Sequence, residues 1–185
     1  MKILLVRHGK KAQDLPGVED KQLPLSDLGR TQVQELTSEF LKVDLRPTLF
    51  LSSHYLHALE TARLVAKELG DHPAPTSVPL NTLTPHNPYT FELIVKEAAG
   101  LGFPLENVGA VCMVLHHPRV HQLTAAVTST PLQAEDPGYA TATCICGNSL
   151  TEMLQGKGHL RHVWRRPEGQ ALMRRDYDRA DSETA

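Results

Sequence analysis

Apolar residues along this chain fall into two patterns. Residues 3–6 (Ile-Leu-Leu-Val), 48–52 (Thr-Leu-Phe-Leu-Ser) and 108–115 are short, almost unbroken apolar runs. Such runs predict strands buried on both faces. Between them, apolar positions recur at helical spacing. Val33, Leu36 and Phe40 mark a helix over 26–43. Tyr55, Leu59, Ala62, Ala66 and Leu69 mark another, with Ser53 as its expected N-cap and Gly70 at its C′ position. Residues 89–99 form a third, stopped by Gly100, and a fourth runs from Pro118 to about residue 128. Residues 10–25 are polar and read as a loop. Residues 71–88 hold Pro73, Pro75, Pro79, Pro85 and Pro88 and read as loop with a short strand at 77–80. Residues 138–146 alternate like a strand, and 159–164 read as a last, edge strand with Trp164 as a packing residue. From 165 onward the chain is highly charged without a periodic stripe, so a frayed tail is expected there.

Strands alternating with helices predict an α/β three-layer sandwich, with a mainly parallel central sheet flanked by helices. One domain over 1–165 and a charged C-terminal tail over 166–185 follow from the same pattern. In such folds ligands bind outside the carboxyl ends of the strands. Arg7-His8-Gly9, Ser52-Ser53 and His116-His117 all fall at such ends, so three polar clusters distant in sequence should share one crevice.

Composition narrows the class of partner. The chain has 185 residues, 41% of them hydrophobic, and a formal charge of −2. That balance lacks the positive field of a nucleic-acid or membrane-surface binder. Cys112, Cys144 and Cys146 cannot all pair, which fits a reducing compartment. The apolar start ends at Arg7, too early for a signal peptide or a membrane span, so a cytoplasmic protein is expected.

The crevice residues suit phosphoryl transfer. Arg7 offers a permanent planar cation for phosphate. His8 offers an imidazole that is neutral near pH 7 and therefore nucleophilic. Gly9 would let backbone approach a ligand, and the helix N-termini after Ser53 and His117 would favour an anion. A nucleophile surrounded by cationic donors is the arrangement a covalent phosphohistidine intermediate needs.

Four ordered blocks resemble the histidine phosphatase superfamily, the phosphoglycerate mutase-like fold. Leu4-Leu5-Val6-Arg7-His8-Gly9-Lys10 resembles its N-terminal signature, and Leu25-Ser26-Asp27-Leu28-Gly29 its L-T/S-x-x-G helix opening. Leu51-Ser52-Ser53-His54-Tyr55-Leu56-His57-Ala58-Leu59-Glu60-Thr61-Ala62 is similar to its S-S-P-x-x-R-A-x-x-T-A segment. Val114-Leu115-His116-His117-Pro118 is similar to its V-G-H-x-P segment. The compact layout and Leu83-Thr84-Pro85 resemble the SixA-like branch, since mutase insertions do not fit between Thr61 and His116. The resemblance implies a metal-independent phosphatase, without cofactor, acting on phosphohistidine proteins in signal transduction or on small phosphomonoesters. It assigns His8 as nucleophile, Arg7 as phosphoryl clamp and His116 as donor to the transferring oxygens. Substrate contacts would come from Arg7, Gly9, His57 and His117.

The sequence departs from that pattern at three places. His57 stands where the family has its second phosphate-binding arginine, His54 stands for proline, and Leu115 stands for glycine. A neutral histidine offers one donor where arginine offers five. The departures admit an alternative: a non-catalytic, phosphate- or phosphoprotein-binding relative. Arg30, Arg63 and Arg119 are candidates to replace the lost guanidinium. Asp14, Glu60 and Glu92 are candidate general acids. His117 and His121 sit one helical turn apart, but no carboxylate completes a metal set with them. Cys144 and Cys146 read as a core-facing pair.

Overall fold

The computed structural model describes residues 1–13, 16–70, 76–130 and 138–177. Seven strands form one sheet: β1 (Lys2–Arg7), β2 (Leu49–Ser52), β3 (Thr76–Pro79), β4 (Ala110–Leu115), β5 (Thr141–Cys146), β6 (His159–Arg165) and β7 (Met173–Asp176). Their spatial order is β3-β2-β4-β1-β5-β6-β7. The helices are α1 (Asp27–Lys42), α2 (Leu56–Glu68), α3 (Phe91–Gly100), α4 (Arg119–Thr128) and α5 (Leu150–Leu154).

The unbroken apolar runs are explained by a sheet covered on both faces. Alternate side chains of a strand point to opposite sides. Ile3 and Leu5 of β1 pack with Val111 and Met113 of β4 and with Ile94 and Leu123 of α3 and α4. Leu4 and Val6 join Cys112 and Val114 on the other face, under Val33, Leu36 and Phe40 of α1 and Ala62 and Val65 of α2. Each fully buried aliphatic side chain of this kind contributes about 1.5–3 kcal/mol. The three layers are therefore α1–α2, the sheet, and α3–α4–α5.

The sheet is mixed. β3, β2, β4 and β1 run parallel, whereas β5 is antiparallel to β1, and β6 and β7 continue antiparallel. The parallel half is the one expected from alternating strands and helices, and it carries the polar strand ends.

Two expectations are corrected at the far edge. β6 is not the last strand, because Met173–Asp176 pairs with it inside the stretch read as a frayed tail. β7 escaped pattern reading because all four of its residues are exposed. It is held by ladder bonds and by contacts of its charges, including Asp176 with His162 (2.7 Å) and Arg174 with Glu39 of α1 (3.8 Å). Exposed charge on an edge strand also discourages further pairing. Trp164 packs as expected, edge-on to Phe40 with ring centroids 5.0 Å apart, but in the interior of the sheet. Residues 178–185 lie outside the described chain. Among the described residues no helix is long and apolar enough to cross a membrane.

Candidate active site

The carboxyl ends of β1, β4 and β2 lie side by side, with Arg7 opposite Leu115 and Ser52 opposite Val114. Backbone bonding continues one residue past each strand. The His8 amide donates to the Leu115 carbonyl (3.2 Å) and the Ser53 amide to the Val114 carbonyl (3.1 Å). Those bonds bring His8, His116 and Ser53 together across the sheet. His57 arrives from the first turn of α2. The three imidazoles form one cluster, with centroid separations of 4.3 Å (His8–His57), 4.8 Å (His8–His116) and 5.5 Å (His57–His116).

Each ring is fixed by its own partner. His8 Nδ1–H donates to the Gly9 carbonyl (2.8 Å) and His57 Nδ1–H to the Leu23 carbonyl (3.0 Å). Both rings therefore keep the Nε2 lone pair for other use. His116 Nε2 lies 2.8 Å from Ser53 Oγ, which accepts the Tyr55 amide (3.1 Å). Ser53 is thus not the N-cap of α2. That position falls to Tyr55, and the serine hydroxyl holds His116 instead. The buried face of α2 is also rotated from the expected stripe, with His57, Ala58, Thr61, Ala62, Val65 and Ala66 facing inward.

Two tyrosines complete the surroundings, and sequence reasoning missed both as site residues. The apolar stripe expected for α2 includes Tyr55. Its ring stands edge-on to His116 (5.0 Å) and His57 (5.6 Å). Tyr139 enters because β5 runs antiparallel and so presents its amino end here. The Ala140 amide donates to the His8 carbonyl (3.0 Å), the Arg7 guanidinium stacks over the Tyr139 ring at 4.2 Å, and that ring lies 5.6 Å from His8. A rule that looks only at carboxyl ends has no signal for it.

Burial sets the protonation states. Relative exposure is 6% for His8, 1% for His57, 9% for His116 and 8% for Arg7. Loss of water, reinforced by the neighbouring imidazoles, holds His8 well below the usual histidine range. Burial pushes His116 down to about 3 and lowers His57. All three rings are neutral at pH 7, so His57 does not carry the partial charge that would imitate an arginine. The same shifts link folding to pH. An unfolded chain protonates these rings near pH 6.5 while the folded one resists, so stability falls as pH drops from about 6.5 toward 3. For His116 the slope is about 1.4 kcal/mol per pH unit in that window, and the lowered pKa values of His8 and His57 act in the same direction. Urea midpoints measured at pH 7, 6, 5 and 4 should decline accordingly, and His116→Gln should flatten the decline.

Not every expected site residue joins the cluster. Gly9 donates its amide to Thr61 Oγ1 (3.1 Å) and so does not offer it to a ligand. Its lack of a side chain serves packing, since a Cβ there would lie 2.7 Å from the Gly29 carbonyl oxygen of α1 and 2.8 Å from Val33. His117 turns to the His121 ring (5.4 Å), as their one-turn spacing dictates, and leaves the trio. Arg119 donates to the Thr82 and Asn87 carbonyls (2.8 and 2.6 Å) and stacks on Tyr89 (3.9 Å). Arg30 pairs with Glu60 (3.1 Å), and Glu60 accepts the Leu25 amide (2.8 Å). Glu92 pairs with Lys96 on the exposed face of α3. These carboxylates have structural partners. Asp14 lies outside the described residues.

Leu115 is fully buried in the core beneath α3 and α4 and does not fill the crevice. Leu115→Gly would therefore cost stability without opening the site. Leucine truncation costs about 2–5 kcal/mol and a strand glycine about 0.5–1 kcal/mol more. A urea titration should show that loss, with turnover per folded molecule unchanged. His54 is exposed, and its amide donates to Thr84 Oγ1 (3.3 Å).

Known proteins share this arrangement of elements. The protein histidine phosphatase SixA, solved with tungstate, superposes with a TM-score of 0.67 at 22% identity, covering 87% of this chain and 94% of that one. The fold is that of the histidine phosphatases. A SixA from Agrobacterium tumefaciens gives a TM-score of 0.60 at 18% identity, covering 78% of this chain and 90% of its own. A mycobacterial glucosyl-3-phosphoglycerate phosphatase also gives 0.60 at 18% identity, with 89% and 98% covered. Residues 3–80 match the sequence profile of the histidine phosphatase superfamily, branch 1. No curated protein sequence matches the chain. The matched histidine phosphatase segment contains Arg7, His8 and His57, while His116 lies beyond it.

Proposed function

We propose that this protein is a phosphatase working through a phosphohistidine intermediate on His8. The observation that carries the reading is the trio itself. A neutral His8, held by its Nδ1–H on the Gly9 carbonyl, presents Nε2 between two further imidazoles and beside the Arg7 guanidinium. As the Nε2–phosphorus bond forms, the bond from phosphorus to the leaving atom breaks and the leaving group takes up a proton. Water then opens the Nε2–phosphorus bond, releasing inorganic phosphate and restoring neutral His8. Arg7 neutralises charge on the transferring oxygens. A bound phosphate dianion would raise the affinity of His116 for a proton, which makes it a charged donor only when substrate is present.

The substrate reading is a phosphohistidine protein of a signalling system, with small phosphomonoesters as second choice. The compact site and the resemblance to SixA support it. A cleft of about 520 Å³ beside Arg7, lined in part by Lys10, Gln32, Glu35, Tyr139 and Arg166, gives the rest of such a substrate a place to lie. A cytoplasmic location fits the three free cysteines.

The test is to trap the intermediate. Brief incubation with a small phosphomonoester, with metal chelated and an alkaline quench, should leave one phosphoryl group on His8 by mass spectrometry. Faster labelling by a phosphohistidine protein than by a phosphoserine peptide would fix the substrate class. A second reading is favoured by one observation: His57 brings no charge to the site at neutral pH. A protein that binds phosphate but never forms the adduct would be the non-catalytic module.

A further inference from the structure

The substitution that takes a cation out of the site puts a metal ligand into it. His8, His57 and His116 each offer one nitrogen, and those three atoms lie within 4.8 Å of one another. A tetrahedral zinc holds imidazole nitrogens at about 2.0–2.1 Å, so ligand nitrogens sit roughly 3.4 Å apart and ring centres roughly 5 Å apart. The observed centroid separations of 4.3, 4.8 and 5.5 Å bracket that figure. Small ring rotations, with no backbone movement, would bring the nitrogens in.

The surroundings of the rings are those of zinc ligands. Metal-bound histidines almost always donate the other ring N–H to a carbonyl or carboxylate, which fixes tautomer and orientation. His8 and His57 already do so, on the Gly9 and Leu23 carbonyls. Ser53 Oγ holds the third ring. All three side chains are buried, and their hydrogen-bond partners already restrict the rings. An all-imidazole set selects zinc, cobalt, nickel or copper over magnesium and calcium. The Arg7 charge opposes a cation but favours an anionic fourth ligand, a hydroxide or a phosphate oxygen.

We propose that His8, His57 and His116 form a binding site for a divalent transition-metal ion of the zinc class, with a fourth position left for a hydroxide or phosphate oxygen. The ion occupies the His8 Nε2 lone pair, so metal and phosphoryl group compete for one atom. The binding claim is independent of the phosphatase reading, whereas the inhibition claim rests on it.

The untagged full chain is titrated with cobalt(II) by visible absorption and with zinc(II) by calorimetry, alongside turnover of a small phosphomonoester. One ion per chain is expected, with the intense visible bands of tetrahedral cobalt. His57→Arg and His116→Gln should each weaken zinc by more than the roughly 10–100-fold that loss of a supporting partner costs. His117→Ala should leave it unchanged. Zinc should abolish turnover, a chelator should restore it, and His57→Arg should be resistant. Circular dichroism confirms that each variant is folded. No cobalt bands, or equal zinc affinity in the folded His57→Arg and His116→Gln proteins, overturns the site. Zinc binding in a protein with no turnover keeps the site and removes only the inhibition claim and the phosphatase reading.

Discussion

His8→Ala should lower phosphomonoester turnover by about four orders of magnitude or more, because the nucleophile of a covalent route has no substitute. Two kinds of contact hold the residue: its ring Nδ1–H donates to the Gly9 carbonyl, and its backbone bonds to both neighbouring strands. Its backbone bonds to Leu115 and from Ala140 survive truncation, so the variant should fold. Relief of three crowded neutral imidazoles should leave stability near that of the parent at pH 7 and above it at pH 5. Phosphate binding, read by calorimetry, should persist through Arg7. The measurement is the initial rate at pH 5–7 with metal chelated. Equal rates in parent and variant would reassign the protein as a binding module.

His57→Arg should raise turnover at pH 7. His57 stands in the trio with no charge of its own at neutral pH, and its ring Nδ1–H is tied to the Leu23 carbonyl. A guanidinium at that turn of α2 adds charge-assisted bonds worth about 1.5–3 kcal/mol each to a bound phosphate. If about 3 kcal/mol is expressed in the transition state, the gain is about a hundredfold in rate. Part of it should appear as a lower KM, because the ground-state phosphate uses the same donors. The gain should shrink toward pH 5. There a phosphate-bound His57 takes up a proton and recovers part of the missing charge in the parent. Initial rates of both proteins across pH 5–8 check this. A loss at every pH would mean that the Leu23 tether matters more than the charge.

The sequence was most informative where one physical demand acts alone. β1 and β4 could be read because a strand buried on both faces has no choice but an unbroken apolar run. Arg7, His8 and His116 could be placed because parallel strands end together. His57 was legible only through the resemblance of residues 51–62 to the S-S-P-x-x-R-A-x-x-T-A segment, whose arginine it replaces. What escaped lies where two demands compete. Ser53 has the chemistry of a cap, yet its hydroxyl is taken by His116 and by the Tyr55 amide. Gly9 looks permissive for ligand approach, yet the close passage of α1 requires it. β7 has no apolar face to reveal it, and Tyr139 reaches the site only because β5 reverses direction.

The two backbone bonds that flank His8 have a mechanical consequence. The residue is clamped from both sides into the central ladder of the sheet, with Leu115 on its left and Ala140 on its right. The floor of the crevice is therefore tied into the sheet on both sides. Differences in what the crevice admits would then fall to its rim, to the segments carrying Leu23 and Tyr55. Evolution can then retune what enters by rewriting those rim segments while the reacting atom stays where the sheet puts it.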